Sequence, residues 1–252
     1  MTKTAAPMTS GSIWKQMTFF AMPIFLGNLF QQLYNTVDSL IVGNFLGSSA
    51  LAAVSSSGSL IFMLIGFLSG ISAGAGVIVA RFFGAGDEKN LQRAVHTTVA
   101  FGLVAGVLMT GVGVALSPQI LRWMDTPESV MRESVTYLQI YFAGSLGFVM
   151  YNVLVGILQA VGDSRHPLYY LIVSSVINLV LDLLFITGFH TGVGGAAVAT
   201  VISQIVSALL CFWQLLRTKE SYGLKIRKIR FDKGILVQII KIGLPSGVQN
   251  SI

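Results

Sequence analysis

Two long stretches of the chain are almost free of charged residues, and this constrains the fold more than any other feature. In residues 16–80 the only Asp, Glu, Lys, Arg or His is Asp38, and in residues 167–216 only Asp182 and His190 belong to that set. Only 10% of the 252 residues are charged, whereas a soluble domain carries about 25%. The sequence therefore indicates a membrane protein rather than a soluble domain.

Six apolar runs are long enough to cross a bilayer, since a transmembrane helix needs about 20 such residues. The predicted spans are 16–42, 50–80, 94–116, 134–160, 167–188 and 193–216. A seventh run opens near Ile235 and reaches the last residue, Ile252. The pattern predicts an all-α polytopic membrane protein with a six-helix bundle and the start of a seventh helix.

The basic residues predict the orientation of these spans. All of the 16 Lys and Arg residues except Arg122 and Arg132 fall in the N-terminal tail or after spans two, four and six. Because Lys and Arg concentrate in cytoplasmic loops, we expect a cytoplasmic N-terminus and an inner (plasma) membrane location. The net charge of +6 then reflects contact with the lipid bilayer, and no nucleic-acid partner is expected.

A weak internal repeat suggests a second lobe. Residues 20–28 and 242–250 both carry a proline and a glycine near the start of a span and both follow a lysine-bearing segment. Parallel repeats of this kind occur in several transporter classes. We expect a six-helix lobe at 1–216, a cytoplasmic basic linker at 217–234, and the start of a second lobe at 235–252.

Small and basic residues have simpler interpretations. Glycines four apart, such as Gly66, Gly70 and Gly74, allow helices to pack closely in lipid. The basic residues of the linker are typical of a juxtamembrane segment held against anionic lipid.

The isolated acids are the strongest functional signal, because a carboxylate at bilayer depth costs several kcal/mol and is usually retained for use. Asn178 lies one turn before Asp182, so the two side chains share a helix face. The predicted topology places Asp38, Asp182 and Thr200 at a similar depth. Their oxygens suit H⁺ or Na⁺, although Asp182 could instead be a structural acid near a helix end.

Other chemistry finds little support in the sequence. There is no Walker lysine motif for ATP, and the three histidines are scattered, so no metal other than Na⁺ is expected. We expect no enzyme activity and no cofactor. The isolated acids point to a transporter, with H⁺ or Na⁺ as the ion that drives it.

Five short runs carry a family resemblance. Residues 34–39, 83–87, 156–164, 178–182 and 194–200 resemble motifs of the multidrug and toxin extrusion (MATE) family, in the family's order and spacing. The resemblance extends across residues 15–252. It implies the N-terminal lobe of a twelve-helix antiporter that exchanges H⁺ or Na⁺ for cationic or amphipathic drugs, with a C-terminal six-helix lobe as its partner.

The resemblance also implies a cation site in this lobe. In prokaryotic members that site uses acids on helices one and five, an asparagine on helix five and a threonine on helix six. The corresponding residues here are Asp38, Asn178, Asp182 and Thr200, and Tyr137 and Asn152 resemble further members of the polar cluster. Because it carries an acid at position 182, the chain resembles the DNA-damage-inducible branch of the family more than branches that lack this acid. Gln159 stands where many members carry arginine.

Three alternatives remain at this point. A flippase for lipid-linked oligosaccharides, from the same superfamily, tends towards basic residues in its cavity, and these spans contain none. An integral-membrane enzyme needs clustered catalytic residues at an interface. A helical scaffold without transport leaves the two intramembrane acids unexplained.

Overall fold

The computed structural model describes residues 12–250 and shows an all-helical bundle over that range. Its α-helices are α1 (Ile13–Leu46), α2 (Ser48–Gly84), α3 (Glu88–Trp123), α4 (Glu128–Ala143), α5 (Ser145–Ala160), α6 (Arg165–Leu183), α7 (Val193–Arg217) and α8 (Lys233–Asn250). A π-helical turn (Leu184–Gly188) extends α6, and a short 3₁₀ turn (Ile226–Lys228) lies in the connection between α7 and α8. The all-α prediction is confirmed.

Most of the predicted spans correspond to helices that are long and apolar enough to cross a membrane. Within residues 12–250 these are α2, α3, α7 and α6 with its π-turn, and the bent pair α4–α5 forms a fifth. Helix α1 has 34 residues, but amide side chains (Asn28, Gln31, Gln32 and Asn35) interrupt its apolar runs, and it is not among these helices. That α1 also crosses the bilayer stays a prediction of the sequence pattern.

The predicted fourth span is broken rather than continuous. Helices α4 and α5 meet at Gly144 with a bend of 49°. A Cβ atom on Gly144 would lie 2.4 Å from the side chain of Val201, so the missing side chain is what lets α7 approach this point. The bend thus coincides with a close contact between helices, which the apolar run 134–160 does not reveal.

Glycines bring α2 and α8 into backbone contact, as the four-residue spacing on α2 predicts. A Cβ on Gly70 would lie 2.3 Å from the backbone of Gly247, and one on Gly74 would lie 2.4 Å from that of Gly243. In lipid there is no hydrophobic driving force between helices, so close van der Waals packing of this kind stabilises the contact instead. In this structure α8 therefore packs on the first six-span block. The proposed lobe boundary near residue 235 stays a prediction.

The larger apolar core joins α2, α3, α5, α7 and α8. At the start of α3, Asp87 accepts hydrogen bonds from the backbone and side chain of Asn90, and these bonds lower the pKa of the Asp87 carboxyl. A second, smaller cluster packs Ile41 and Val42 of α1 against Ile186 and the beginning of α7. This cluster lies beside the two isolated acids and fixes the position of α1 relative to α6.

Candidate functional site

The two isolated acids meet across the contact between α1 and α6. The Asp38 carboxyl lies within hydrogen-bonding reach of the Asp182 carboxyl. Asp182 is fully buried, while Asp38 is partly buried. Two carboxyl groups attract each other at this range only when one carries a proton or a cation lies between them. The contact is therefore compatible with one positive charge held between the two carboxyl groups.

Asn178 connects the acid pair to α7. With its amide oriented so that both ends are satisfied, the nitrogen donates to Asp182 Oδ2 at 2.8 Å and the oxygen accepts from the Thr200 backbone N–H at 3.2 Å. Asn178 is 1% exposed. The i, i+4 spacing that places Asn178 and Asp182 on one face therefore also positions them against α7.

Small residues at the start of α7 allow this close approach. A Cβ on Gly195 would lie 3.0 Å from Phe185 Cβ, in the π-turn that follows Asp182. Within that turn the Phe189 N–H donates to the Leu184 carbonyl at 3.0 Å, which is the i to i+5 pattern. Turns of this kind are frequent at functional sites. The sequence predicted the close packing but not the π-turn.

Tyr34 is a member of the cluster that the sequence did not single out as a site residue. Its hydroxyl lies within hydrogen-bonding reach of the Thr200 side chain and close to both acids. Thr200 Oγ1 also donates to the Ala196 carbonyl at 3.0 Å. The spacing of Tyr34 four residues before Asp38 was the available signal. Asn35, in contrast, is exposed and donates to Gln32 on its own helix.

The two less certain site residues differ in position. Tyr137 is 5% exposed, stacks on Tyr141 with ring centroids 6.5 Å apart, and lies within electrostatic range of both acids. Asn152 instead donates to the Phe148 carbonyl of its own helix at 2.9 Å. The two residues are separated by the bend at Gly144. The structure thus brings Tyr137 to the acid pair, whereas Asn152 has no corresponding contact among the described residues.

A cavity of about 240 Å³ opens beside the acids, between α1 and α6. Its polar lining comes from Tyr34, Asp38, Ser175, Asn178 and Asp182. The apolar lining consists of Phe30, Leu33, Val37, Ile172, Val176 and Leu179. The wall of the cavity is almost wholly apolar with a few converging polar groups, and none of the described basic side chains lines it.

The acids retain unused hydrogen-bonding capacity. Asp38 Oδ1 and Asp182 Oδ1 are both shielded from solvent and have no hydrogen-bond partner among the described residues. Buried polar atoms are almost always satisfied, so unsatisfied ones indicate a missing ion, proton or water. Oxygen atoms are also the ligands that hard cations prefer. The donor set therefore fits either H⁺ or Na⁺.

Comparison with known proteins gives a consistent family match. The family model MatE matches residues 23–184. The chain is 35% identical over 244 residues to the probable multidrug resistance protein YoeA of Bacillus subtilis, covering 94% of this chain and 53% of YoeA. It is 26% identical to the multidrug export protein MepA of Staphylococcus saprophyticus, covering 93% of this chain and 52% of MepA.

Solved structures show the same fold. A crystal structure of a MATE protein in the bent conformation has a TM-score of 0.87 at 28% identity, covering 94% of this chain and 53% of that one. The chain thus spans about half the length of the relatives it matches.

Proposed function

Because the chain belongs to the MatE family of transporters, we propose that it carries the ion-coupling site of a secondary active multidrug exporter. The observation that carries this proposal is the contact between Asp38 and Asp182 beside the cavity between α1 and α6. One H⁺ or one Na⁺ holds the two carboxyl groups together. When that ion leaves, two adjacent carboxylates repel each other and drive α1 away from α6.

The repulsion is large enough to alter helix packing. Two unit charges about 4 Å apart, at an effective dielectric constant of about 20, repel by about 4 kcal/mol. A change of that size moves an equilibrium between two helix arrangements by roughly three orders of magnitude. The ion-bound and ion-free forms of this lobe therefore favour different positions of α1.

Asn178 allows either ion to bind. Its amide nitrogen, pointing at Asp182, stabilises a carboxyl pair that shares a proton. If the amide turns over, its oxygen faces Asp182 and supplies a further oxygen ligand for Na⁺. Asp38, Asp182 and Asn178 would then hold the cation, and Na⁺ would provide only its charge.

The cavity favours cationic and amphipathic small molecules as substrates. Its lining is almost entirely apolar and accommodates a hydrophobic body, and the charged side chains that the described residues place at its wall are the two acids. Because release of the ion drives α1 away from α6, a cationic drug then meets the negative charge that the ion occupied, and the two bind in alternation. A flippase for anionic lipid-linked oligosaccharides fits this lining less well, because an anionic headgroup would face carboxylates.

The energetics limit the exchange ratio. Moving one charge through a potential of 100 mV yields about 2.3 kcal/mol, which corresponds to a gradient of roughly fifty-fold at about 1.36 kcal/mol per decade. Exchange of one ion for one monovalent drug cancels this electrical contribution. Export then relies on the concentration gradient of the ion alone.

The complete transporter is proposed to contain a second six-helix lobe, with the N-terminus of this chain in the cytoplasm. Alternating access needs two lobes that move around a central site, and this chain spans about half of its relatives. The concentration of basic residues in the N-terminal tail and after spans two, four and six supports a cytoplasmic location for both ends of the six-span block.

Transport by the reconstituted full-length protein tests this proposal. Vesicles are loaded with a fluorescent cationic drug, and a pH gradient or a Na⁺ gradient is imposed separately. We expect drug movement driven by one of the two gradients, and reversal of the movement when that gradient is reversed. Drug movement that is indifferent to both gradients, or that needs ATP, would overturn the proposal.

A further inference from the structure

The segment between α7 and α8 is attached to α3 by its main chain. We call residues 221–233 the basic strap. The Gln92 side-chain amide donates to the carbonyl oxygens of Ser221 and of Gly223, the latter at 3.0 Å. The His96 ring is 3% exposed and its Nε2 accepts the Lys225 backbone N–H at 3.0 Å. These bonds hold the first half of the strap in one place.

The second half of the strap is attached in the same way. The backbone N–H of Asp232 donates to Thr97 Oγ1 at 3.1 Å, and the Asp232 carboxylate lies 3.8 Å from Arg93. The same carboxylate accepts the backbone N–H groups of Gly234 and Ile235, at 3.1 and 3.2 Å, at the start of α8. The strap therefore has a defined backbone rather than the freedom of a flexible linker.

The strap has an inner and an outer face. Leu224 is 3% exposed, and Ile229 packs against the main core. On the outer face, Ile226 is 60% exposed and Phe231 is 45% exposed. Two large apolar side chains thus project from a fixed backbone, and no neighbour in the described part of the chain covers them.

Basic side chains surround these two apolar residues. Lys225, Arg227, Lys228, Arg230 and Lys233 are all exposed. In the part of the chain that the structure describes, none of the five forms an ion pair with a carboxylate. Asp232, the one acid of the strap, is engaged with Arg93 and with the start of α8. The outer face therefore carries positive charge that nothing in the described chain neutralises.

We propose that the outer face of the basic strap binds anionic phospholipid of the cytoplasmic leaflet. The basic side chains hold the phosphate groups, while Ile226 and Phe231 enter the boundary between headgroups and acyl chains. The complementary charge and the adjacent membrane select this partner over a soluble one. The surface rests on the proposed orientation of the chain, and lipid binding is measured without drug transport, so the two proposals fail independently.

The strap is then held in place on both of its faces. Side chains of α3 hold its backbone, and the bilayer holds its outer face. Because the strap leads directly into α8, a bound lipid stabilises the position of α8 on α2. Anionic lipid is therefore expected to raise the thermal stability of the protein, and neutral lipid is not.

The first test is lipid binding to the full-length protein by native mass spectrometry, with phosphatidylglycerol or phosphatidylcholine as the probe. Each basic residue near an anionic surface contributes about five-fold in affinity, equivalent to about 1 kcal/mol. The double variant Arg227→Gln/Lys228→Gln should bind phosphatidylglycerol about 25-fold more weakly and phosphatidylcholine as before. Thermal unfolding without lipid should be unchanged, because both side chains are exposed.

The matched control removes the same charge from the opposite side of the bundle. Arg122→Gln/Arg132→Gln should leave most of the phosphatidylglycerol binding intact. Equal losses in the two double variants would show that lipid binding follows net charge alone, and an unchanged strap variant would show that the strap binds no lipid. Either result overturns the proposal.

The second test identifies what covers the outer face. A bimane label on Phe231→Cys, in a background without other reactive cysteines, is examined in nanodiscs. We expect quenching by lipid that carries a nitroxide at its headgroup, and stronger quenching when the disc contains phosphatidylglycerol. Quenching by a water-soluble agent alone would indicate a solvated loop. Protection from both agents would indicate that another part of the protein covers this face, and both results contradict the proposal.

Discussion

The Asp38 carboxyl on α1 lies against the Asp182 carboxyl on α6, although 143 residues separate them in the sequence. Within residues 12–250, no basic side chain lines the cavity beside them. A contact between two acids without a basic partner requires a proton or a cation. We propose that this arrangement couples ion occupancy to the distance between α1 and α6.

Close packing between α2 and α8 predicts an unusual response to alanine. Alanine is the better helix former by up to about 1 kcal/mol, yet Gly74→Ala places a Cβ 2.4 Å from the Gly243 backbone. Overpacking of this kind costs about 1–3 kcal/mol. We expect Gly74→Ala to lower the midpoint of thermal unfolding in detergent.

Gly58→Ala is the matched control for that substitution. It lies on the same helix, and its added Cβ would meet nothing within 4 Å. We expect an unchanged or slightly higher unfolding midpoint. If Gly74→Ala proved as stable as Gly58→Ala, the close contact between α2 and α8 would not exist in the protein.

The position of the Tyr34 hydroxyl predicts that Tyr34 and Thr200 act together in ion binding. Tyr34→Phe removes the hydroxyl that reaches the Thr200 side chain and keeps the aromatic ring. Loss of one neutral hydrogen bond costs about 1 kcal/mol, so we expect the affinity for the coupling ion to fall about five-fold. The measurement is ion-dependent drug release, titrated at several ion concentrations.

A double-mutant cycle checks the assignment of that effect. If the two hydroxyls interact, Tyr34→Phe combined with Thr200→Val should be no worse than the more damaging single variant. Fully additive losses would show that the two side chains act separately. Tyr34 would then not belong to the ion site.

Sequence patterns predicted the features of this fold that depend on neighbouring residues along one helix. The spacing of Asn178 and Asp182 correctly placed both on one face, and the four-residue spacing of Gly70 and Gly74 correctly indicated close helix contact. Each follows from 3.6 residues per turn. The apolar runs also predicted the approximate positions of the spans.

Features that depend on contacts between distant segments could not be predicted in the same way. The bend at Gly144 lies where Val201 approaches from α7, and the close packing of α8 on α2 depends on which glycines face each other. The π-turn after Asp182 lies where Gly195 of α7 approaches Phe185. Tyr34, rather than Asn35, faces the site because of the way α1 is rotated against α6. No local periodicity contains that information.

Ion release on drug binding tests the central claim most directly. The purified full-length protein is mixed with a cationic drug in weakly buffered solution, and released H⁺ or displaced radioactive Na⁺ is counted per drug bound. Asp38→Asn and Asp182→Asn are compared with Asp163→Asn, which removes an acid in the connection between α5 and α6 that pairs with His166 at the start of α6.

We predict that the wild-type protein and Asp163→Asn release an ion when the drug binds, and that neither Asp38→Asn nor Asp182→Asn does. Undiminished ion release from both of the latter variants would contradict the account, because the exchanged ion would then be bound elsewhere.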